Sequence, residues 1–295
     1  MELYYDIAGI SRQAFHQWMQ PSQSAQERTD AELVLQMAYN VRRLFLPGAG
    51  ARELYRFIRK KHQEYNLLLK GWGKHAFEQL CLANGLRVES RRFTPKTTQR
   101  GNFVFPNLIE GMELDNINQV WASDIAYIRA TSGHIIGYST TLFDVYSRYL
   151  LGLSFSQNMQ ALNTSQAVLE QALKLRAGQN LKGLIFHSDA GKQYIEKQFL
   201  MRLKSNHIRS SMADNCYQNA HAEALNDTLK NHILNGLDLN SFAQLKKAEL
   251  FIKNCFNQNK SHSAINDLTP EDFEKSLLNL KPCQRTKFII KKIDS

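Results

Sequence analysis

The sequence predicts a mixed α/β unit from about residue 119 onward, preceded by a helical N-terminal region, and three observations carry that reading. Residues 120–128, 135–144 and 149–155 are apolar or β-branched runs separated by turn residues such as Ser132-Gly133, the pattern of three short strands. A fourth apolar run, Leu184-Ile185-Phe186, leads to Asp189 and then Ala190-Gly191, so the Asp189 side chain is expected at the carboxyl edge of a sheet. Residues 161–175, 194–204 and 219–230 have helical rhythm and no internal Pro or Gly.

The N-terminal third contains no comparable strand signal. Residues 2–8 and 12–19 form two short helical pieces around Gly9, either a packing arm or a helix-turn-helix reading DNA through Arg12, Gln13 and Gln17. Residues 31–46 place Leu33, Leu35, Met37, Ala38, Val41 and Leu44 at helical spacing and stop at Pro47-Gly48-Ala49-Gly50. A second helix, 51–65, turns Leu54, Phe57 and Ile58 inward and Arg52, Arg56, Arg59, Lys60 and Lys61 outward; a third, 74–84, is ended by Gly85. The domain reading is an arm at 1–30, a three-helix unit at 31–86, a basic linker at 87–118, the α/β core at 119–240, and C-terminal helices with a basic tail at 241–295.

Charge follows the same partition. Residues 1–100 carry 16 Lys and Arg against 9 Asp and Glu, residues 101–280 carry 16 against 17, and residues 281–295 carry 5 against 1, within a net charge of +10. Basic arms around a near-neutral core suit a protein that grips a phosphate backbone with its ends. Candidate DNA contacts are Arg52 and Arg56 on the second helix and Arg91, Arg92 and Lys96 in the linker. No apolar run approaches the roughly 20 residues of a membrane span, and the start lacks the pattern of a signal peptide. The four cysteines, Cys81, Cys216, Cys255 and Cys283, form no Cys-x-x-Cys pair, which suggests reduced thiols in a cytoplasm and no structural zinc.

Three acids stand out in this frame: Asp124 on the first strand, Asp189 at the end of the fourth, and Glu223 on the helix that follows. Mg²⁺ or Mn²⁺ prefers oxygen ligands, and in-line phosphoryl transfer uses two such ions about 4 Å apart, which a small set of carboxylates can hold. The motifs around these acids resemble those of the insertion-sequence transposases of the OrfB type, whose catalytic core is related to retroviral integrases. Trp121-Ala122-Ser123-Asp124 and Asp144-Val145-Tyr146-Ser147-Arg148 are similar to the family's first acidic strand and its following strand and turn. His187-Ser188-Asp189 and Asn219-Ala220-His221-Ala222-Glu223 resemble the second and third acidic motifs. Phe256-Asn257 through His262-Ser263 and Leu268-Thr269-Pro270 resemble the C-terminal signature, so the likeness covers about residues 1–280. Two departures stand out: 33 residues separate Asp189 from Glu223, two fewer than is usual in the family, and Ala190 replaces a usual Gln.

The resemblance implies a ribonuclease-H-like integrase catalytic core preceded by a helical DNA-binding region. It also implies a DDE-type transposase that cleaves element ends and transfers 3′-hydroxyl ends to target DNA, with Asp124, Asp189 and Glu223 both catalytic and metal-binding. Lys230, seven residues after Glu223, and Asn219, four before it, share its helix face and are candidate DNA contacts. A synapse of two DNA ends implies a homo-oligomer, and the family implies a possible upstream-frame DNA-binding partner. Two alternatives stay open: a ribonuclease-H-like nuclease without strand transfer, and a catalytically retired transposase kept as a DNA-binding protein. His187 is either an orienting group for Asp189 or a hydrogen-bonded structural histidine.

Overall fold

The computed structural model describes residues 25–61, 68–88, 105–130, 132–213 and 219–290. The helical pieces expected at 2–8 and 12–19, and the linker cations Arg91, Arg92 and Lys96, lie outside the described residues. The chain divides into two compact units, Met1–Arg43 with Gly50–Arg87, and Leu44–Ala49 with Val88–Ser295.

The first unit is built on helices α1 (Ala25–Phe45), α2 (Ala51–Lys61) and α3 (Lys74–Ala83). On α1 the buried stripe is Val34, Met37, Ala38 and Val41, the i, i+3, i+4, i+7 spacing of one helix face. Leu33 and Leu44, expected inward, are half exposed. On α2 the expected Leu54, Phe57 and Ile58 are buried, and Leu69, Phe77 and Cys81 complete the apolar interior. Burial pushes the Cys81 thiol up to about 12, so it stays protonated. After α3, Gly85 takes a left-handed φ of 78°, and Leu86 N–H returns to Cys81 O, closing the helix end.

The second unit holds a five-stranded sheet in the order β4-β3-β2-β5-β6, from β2 (Val120–Arg129), β3 (Ile135–Asp144), β4 (Leu150–Ser156), β5 (Ile185–Ser188) and β6 (Arg209–Met212). β2, β3 and β4 form an antiparallel meander, and β5 and β6 run parallel to β2, so β2 lies at the centre where the two patterns meet. Trp121, Leu142 and Phe186 face one side, with Val168 and Leu169 of α4 (Ser165–Leu175) and Phe199 and Leu203 of α5 (Lys197–Ser205). Val120, Ala122 and Ile185 face the other side, with Ala222 of α6 (Ala220–His232) and Phe273 and Leu277 of α8 (Pro270–Leu277). The side chains alternate between faces along β2, and each face has its own helix layer.

The stretch at 105–118, assigned from sequence to a linker, contributes to this core. Ile109 and Leu114 are buried in the α6 layer, because this end of the basic segment carries apolar side chains that the sheet can cover. Glu113–Leu114 form β1, antiparallel to β7 (Phe288–Ile289). The start of the expected basic tail is thus a short strand; residues 291 and 292 lie outside the described residues.

β4 is an edge strand, yet all of it is buried, and side chains close its outer edge. Gln171 of α4 accepts from Leu153 N–H and donates to Leu153 O, at 3.1 and 2.7 Å. Glu249 and Lys253 of α7 (Phe242–Asn254) take Phe155 N–H and Leu151 O. After Asn254 the helix widens into a π turn, Cys255–Asn259, which turns Asn257 inward. Its amide accepts from Leu150 N–H at 2.8 Å and donates to Leu150 O at 3.0 Å. Gly152 permits the close approach of α4, since a Cβ there would stand 2.6 Å from Val168 O.

Removing such an amide strands two buried backbone groups. Asn257→Ala is expected to lower stability by about 1–3 kcal/mol, while the adjacent exposed Gln258→Ala stays within about 0.5 kcal/mol of the parent. Urea unfolding of the two variants checks the contrast.

Candidate active site

The parallel pairing of β2 with β5 places Val120 beside Ile185, Trp121 beside Phe186 and Ala122 beside His187. Two residues further along both chains come Asp124 and Asp189. Neighbouring strands lie about 4.8 Å apart, and residues two apart share a face, so this register brings both acids to the carboxyl edge on the α6 side. Asp189 lies just past β5, where its Oδ1 accepts from Gly191 N–H at 3.1 Å. A Cβ on Gly191 would stand 3.0 Å from that oxygen and 2.8 Å from Gln193 Oε1, so a larger residue there would displace the ends of these two side chains.

Glu223 sits in the first turn of α6 and is exposed, while α6 packs on β2 and β3. The other two acids act on Asp124 through their charge. Burial, then the charge of Asp189 and, more weakly, that of Glu223 push the Asp124 carboxyl up to about 6, against hydrogen bonds from Asn226 and the Ile125 backbone. Asp189 is also raised, by burial. Among the described residues, no group of three or more His, Cys, Asp and Glu side chains could hold a metal ion as placed.

Asn226 is the residue that sequence reasoning missed. Its Nδ2 donates to Asp124 Oδ2 at 2.7 Å, and its Oδ1 accepts from Thr141 Oγ1 at 2.7 Å. Thr141 is the β3 residue directly opposite Asp124, so one amide ties strand, neighbouring strand and helix together at the carboxylate. The signal was available: Asn226 lies three residues after Glu223, one turn along the same face. A second tie supports β2 from the other side, where Tyr194 O–H donates to Ser123 Oγ at 2.9 Å and Ser123 donates to Thr141 O at 2.7 Å.

The remaining sequence-derived residues fall into place unequally. Asn219, expected on an open DNA-facing surface, is 5% exposed, and its amide donates to Ser123 O at 3.2 Å, in the seam between α6 and β2. Helix packing claimed it, because the start of α6 presses directly on the sheet. Lys230 is half-buried in the last turn of α6. Arg52 pairs with Glu78 at 2.7 Å while staying largely exposed, and Arg56 is half-buried. His187 is fully buried with Nδ1 2.9 Å from Ser211 Oγ, the structural arrangement. Asp144 is a separate matter: it sits opposite Trp121 on β3, buried, and accepts from Asn118, Tyr146 and Ser147 N–H groups.

The family described as Integrase core domain matches residues 115–216, and a second Integrase core domain family matches residues 207–270. The Insertion element IS600 uncharacterized 31 kDa protein of Shigella sonnei is 26% identical over 277 residues, 91% of this chain and 96% of that protein. Transposase InsF for insertion sequence IS3A, of Escherichia coli (strain K12), is 33% identical over 201 residues, 66% of this chain and 68% of its own length. The chain belongs to the IS3 family of transposases. Of solved structures, the HTLV-2 integrase catalytic core domain in complex with magnesium (dimeric form) aligns with 54% of this chain and 97% of its own, at 19% identity and a TM-score of 0.40. For a member of the IS3 family, the integrase-core matches span the whole sheet and α6, so Asp124, Asp189, Glu223 and Asn226 all lie within them.

The raised carboxyl has a consequence for stability. In the unfolded chain Asp124 ionises near its ordinary value of 3.8, but in the folded chain only near 6, so between these values the folded state holds the extra proton and stability falls as pH rises. Above about pH 6 the charged carboxylate penalises the metal-free fold. Asp124→Asn keeps an acceptor for Asn226 and removes the charge, so it is expected to stabilise the metal-free protein at pH 7 by about 1–3 kcal/mol. The gain should vanish below about pH 4. Denaturant melts of both proteins across this range in EDTA test it; a pH-independent difference would contradict the charge argument.

Proposed function

We propose that this chain cleaves the phosphodiester at the ends of an insertion element and transfers the freed 3′-hydroxyl ends to target DNA, using Asp124, Asp189 and Glu223 to hold Mg²⁺ or Mn²⁺. The observation that carries the reading is the β2–β5 register, which brings Asp124 and Asp189 to one edge of the sheet beneath α6, where the charges of Asp189 and, more weakly, Glu223 add to burial in disfavouring ionisation of Asp124. An all-oxygen donor set under that repulsion fits a hard divalent cation, which would relieve it. When bound, such ions supply Lewis-acid polarisation of a phosphodiester and a template for attacking and leaving oxygens.

The chain's own residues do the rest. Asp124 on β2 is held by Asn226 and Asp189, just past the end of β5, by Gly191 N–H, which orients one oxygen of each carboxyl group. Glu223 is on a helix with its side chain exposed, free to close on a cation and substrate between them. Lys230, two turns further along α6, contacts a phosphate near the scissile bond. Arg52 and Arg56 grip element-end DNA, helped by Arg91, Arg92 and Lys96. No side chain is needed as a nucleophile, which separates this chemistry from covalent recombination. Synapsis of two ends calls for a homo-oligomer acting on DNA, with an upstream-frame DNA-binding protein as a possible partner. Among the described residues no helix is long and apolar enough to cross a membrane, and the proposed place of action is the bacterial nucleoid.

Asp124→Asn, Asp189→Asn and Glu223→Gln are each expected to abolish Mg²⁺-dependent cleavage of element-end DNA while leaving DNA affinity within about twofold, since cationic side chains supply the affinity. Retained cleavage removes the altered residue from the set. Joining of a 3′ end to a second duplex separates transposition from simple nuclease action, and binding without any cleavage by the parent chain indicates a retired transposase.

Lys230→Ala is expected to weaken DNA binding and reduce the slope of log affinity against log salt by about one contact. An unchanged slope, with a melting temperature lowered by a degree or two, would make Lys230 a helix-end charge complementing the macrodipole.

A further inference from the structure

Arg148 occupies an unusual position for an arginine. It lies in the turn between β3 and β4 at a left-handed φ of 63°, is only 8% exposed, and among the described residues no carboxylate hydrogen-bonds it, although the nearby Asp144 charge favours its ionised form against the effect of burial. Its guanidinium stands 4.8 Å over the ring of Phe288, and Nη1 lies 3.4 Å from His221 Nδ1. Arginine offers only donors, so Nδ1 of His221 must be the acceptor. The Phe288 ring in turn meets the His221 ring edge to face at 5.4 Å. Burying a guanidinium is costly, and a left-handed backbone that aims such a side chain inward is a feature to be explained.

The three residues come from three distant segments. Phe288 is in β7, held to β1 by strand pairing, by Gly111 N–H to Ile290 O at 3.0 Å, and by Tyr146 O–H to Thr286 O at 2.8 Å. It lies beyond both matched integrase-core segments. His221 is two residues before Glu223, and at 100° per residue the two point to opposite sides of α6. Asn226 holds α6 to Asp124 on the Glu223 side. A second hold on the His221 side fixes the rotation of the helix about its axis.

We propose that Arg148, His221 and Phe288 form a positioning clamp through which the C-terminal strand sets the first turn of α6, and with it Glu223, for phosphoryl transfer. None of the three touches the reacting atoms. The inference rests on the reading of Glu223 as a cation ligand given above. Its role follows from the tolerance of such chemistry, in which a misplacement of about 1 Å costs on the order of a hundredfold in rate.

Phe288→Ala removes the ring from a two-residue strand near the chain end and leaves Arg148 in place; Phe288→Tyr restores the π face. Two measurements on the full chain decide the matter. Amide hydrogen exchange at residues 221–224 should rise by about tenfold in Phe288→Ala, the weight of a desolvated cation–π contact, while amides of β2 and β3 stay protected. The Mg²⁺ concentration for half-maximal cleavage of element-end DNA should rise several-fold with DNA affinity unchanged, and Phe288→Tyr should return both values to the parent. Unchanged exchange at 221–224, a uniform rise across the whole unit, or a failure of Phe288→Tyr to restore would overturn the clamp. A parent chain without Mg²⁺-dependent cleavage would instead overturn the reading of Glu223, and the hold on α6 would stand or fall on the exchange data alone.

Discussion

The parallel register of β2 with β5 is the constraint on which the rest of the site depends. With Ala122 beside His187, the next residues on the same face are Asp124 and Asp189, and both strands end their pairing just before the acids. A slip of one residue would turn Asp124 to the α4 side, where Trp121 and Leu142 make a dry core. The register is held from both faces: Trp121 is fully buried between sheet and α4, and Ala122 gives α6 room to approach. Two apolar layers thus determine where two charges go.

Placing those charges together works against the fold, and the surrounding groups offset part of the penalty. Asn226 and the Ile125 backbone favour the ionised form of Asp124, yet burial and Asp189 outweigh them, and the carboxyl ends near 6. The polar ties near it, Asn226 to Thr141, Tyr194 to Ser123 and Ser123 to Thr141 O, are fully formed and do not depend on the protonation of the acid. These ties join β2, β3 and α6 around Asp124 without using its carboxylate, as a pre-organised site requires.

A different set of buried charges organises the far end of the sheet. Asp144 gathers three backbone N–H groups at the β3 turn and is likewise pushed up to about 6, by burial and by Glu274. Arg176, at the end of α4, makes a two-pronged bond to Glu274 of α8, which also accepts from Ser147 Oγ, so turn, helix and C-terminal helix close on one guanidinium. The same turn presents Arg148 toward α6 and β7. Residues on the C-terminal side of α6 thereby reach the core through directed polar and aromatic contacts as well as through the Phe273 and Leu277 side chains.

What the sequence by itself determined is local and periodic. β2, β3, β4 and α6 follow from apolar or β-branched runs, turn residues and helix propensity, and the positions of Asp124, Asp189 and Glu223 on strand, strand end and helix follow from their neighbours. Only the tertiary structure decided which polar residues meet. Asn226 and Thr141 are 85 residues apart, and Arg148, His221 and Phe288 are separated by still more or comparable chain, so no spacing rule connects them. The sequence likewise presented Asn219 and His187 as candidate functional groups, and both are occupied by buried hydrogen bonds that depend on neighbouring strands. β1 and β7 escaped notice for the same reason: two residues carry no detectable period, and a strand that short exists only because a partner from the other end of the unit completes its backbone bonds.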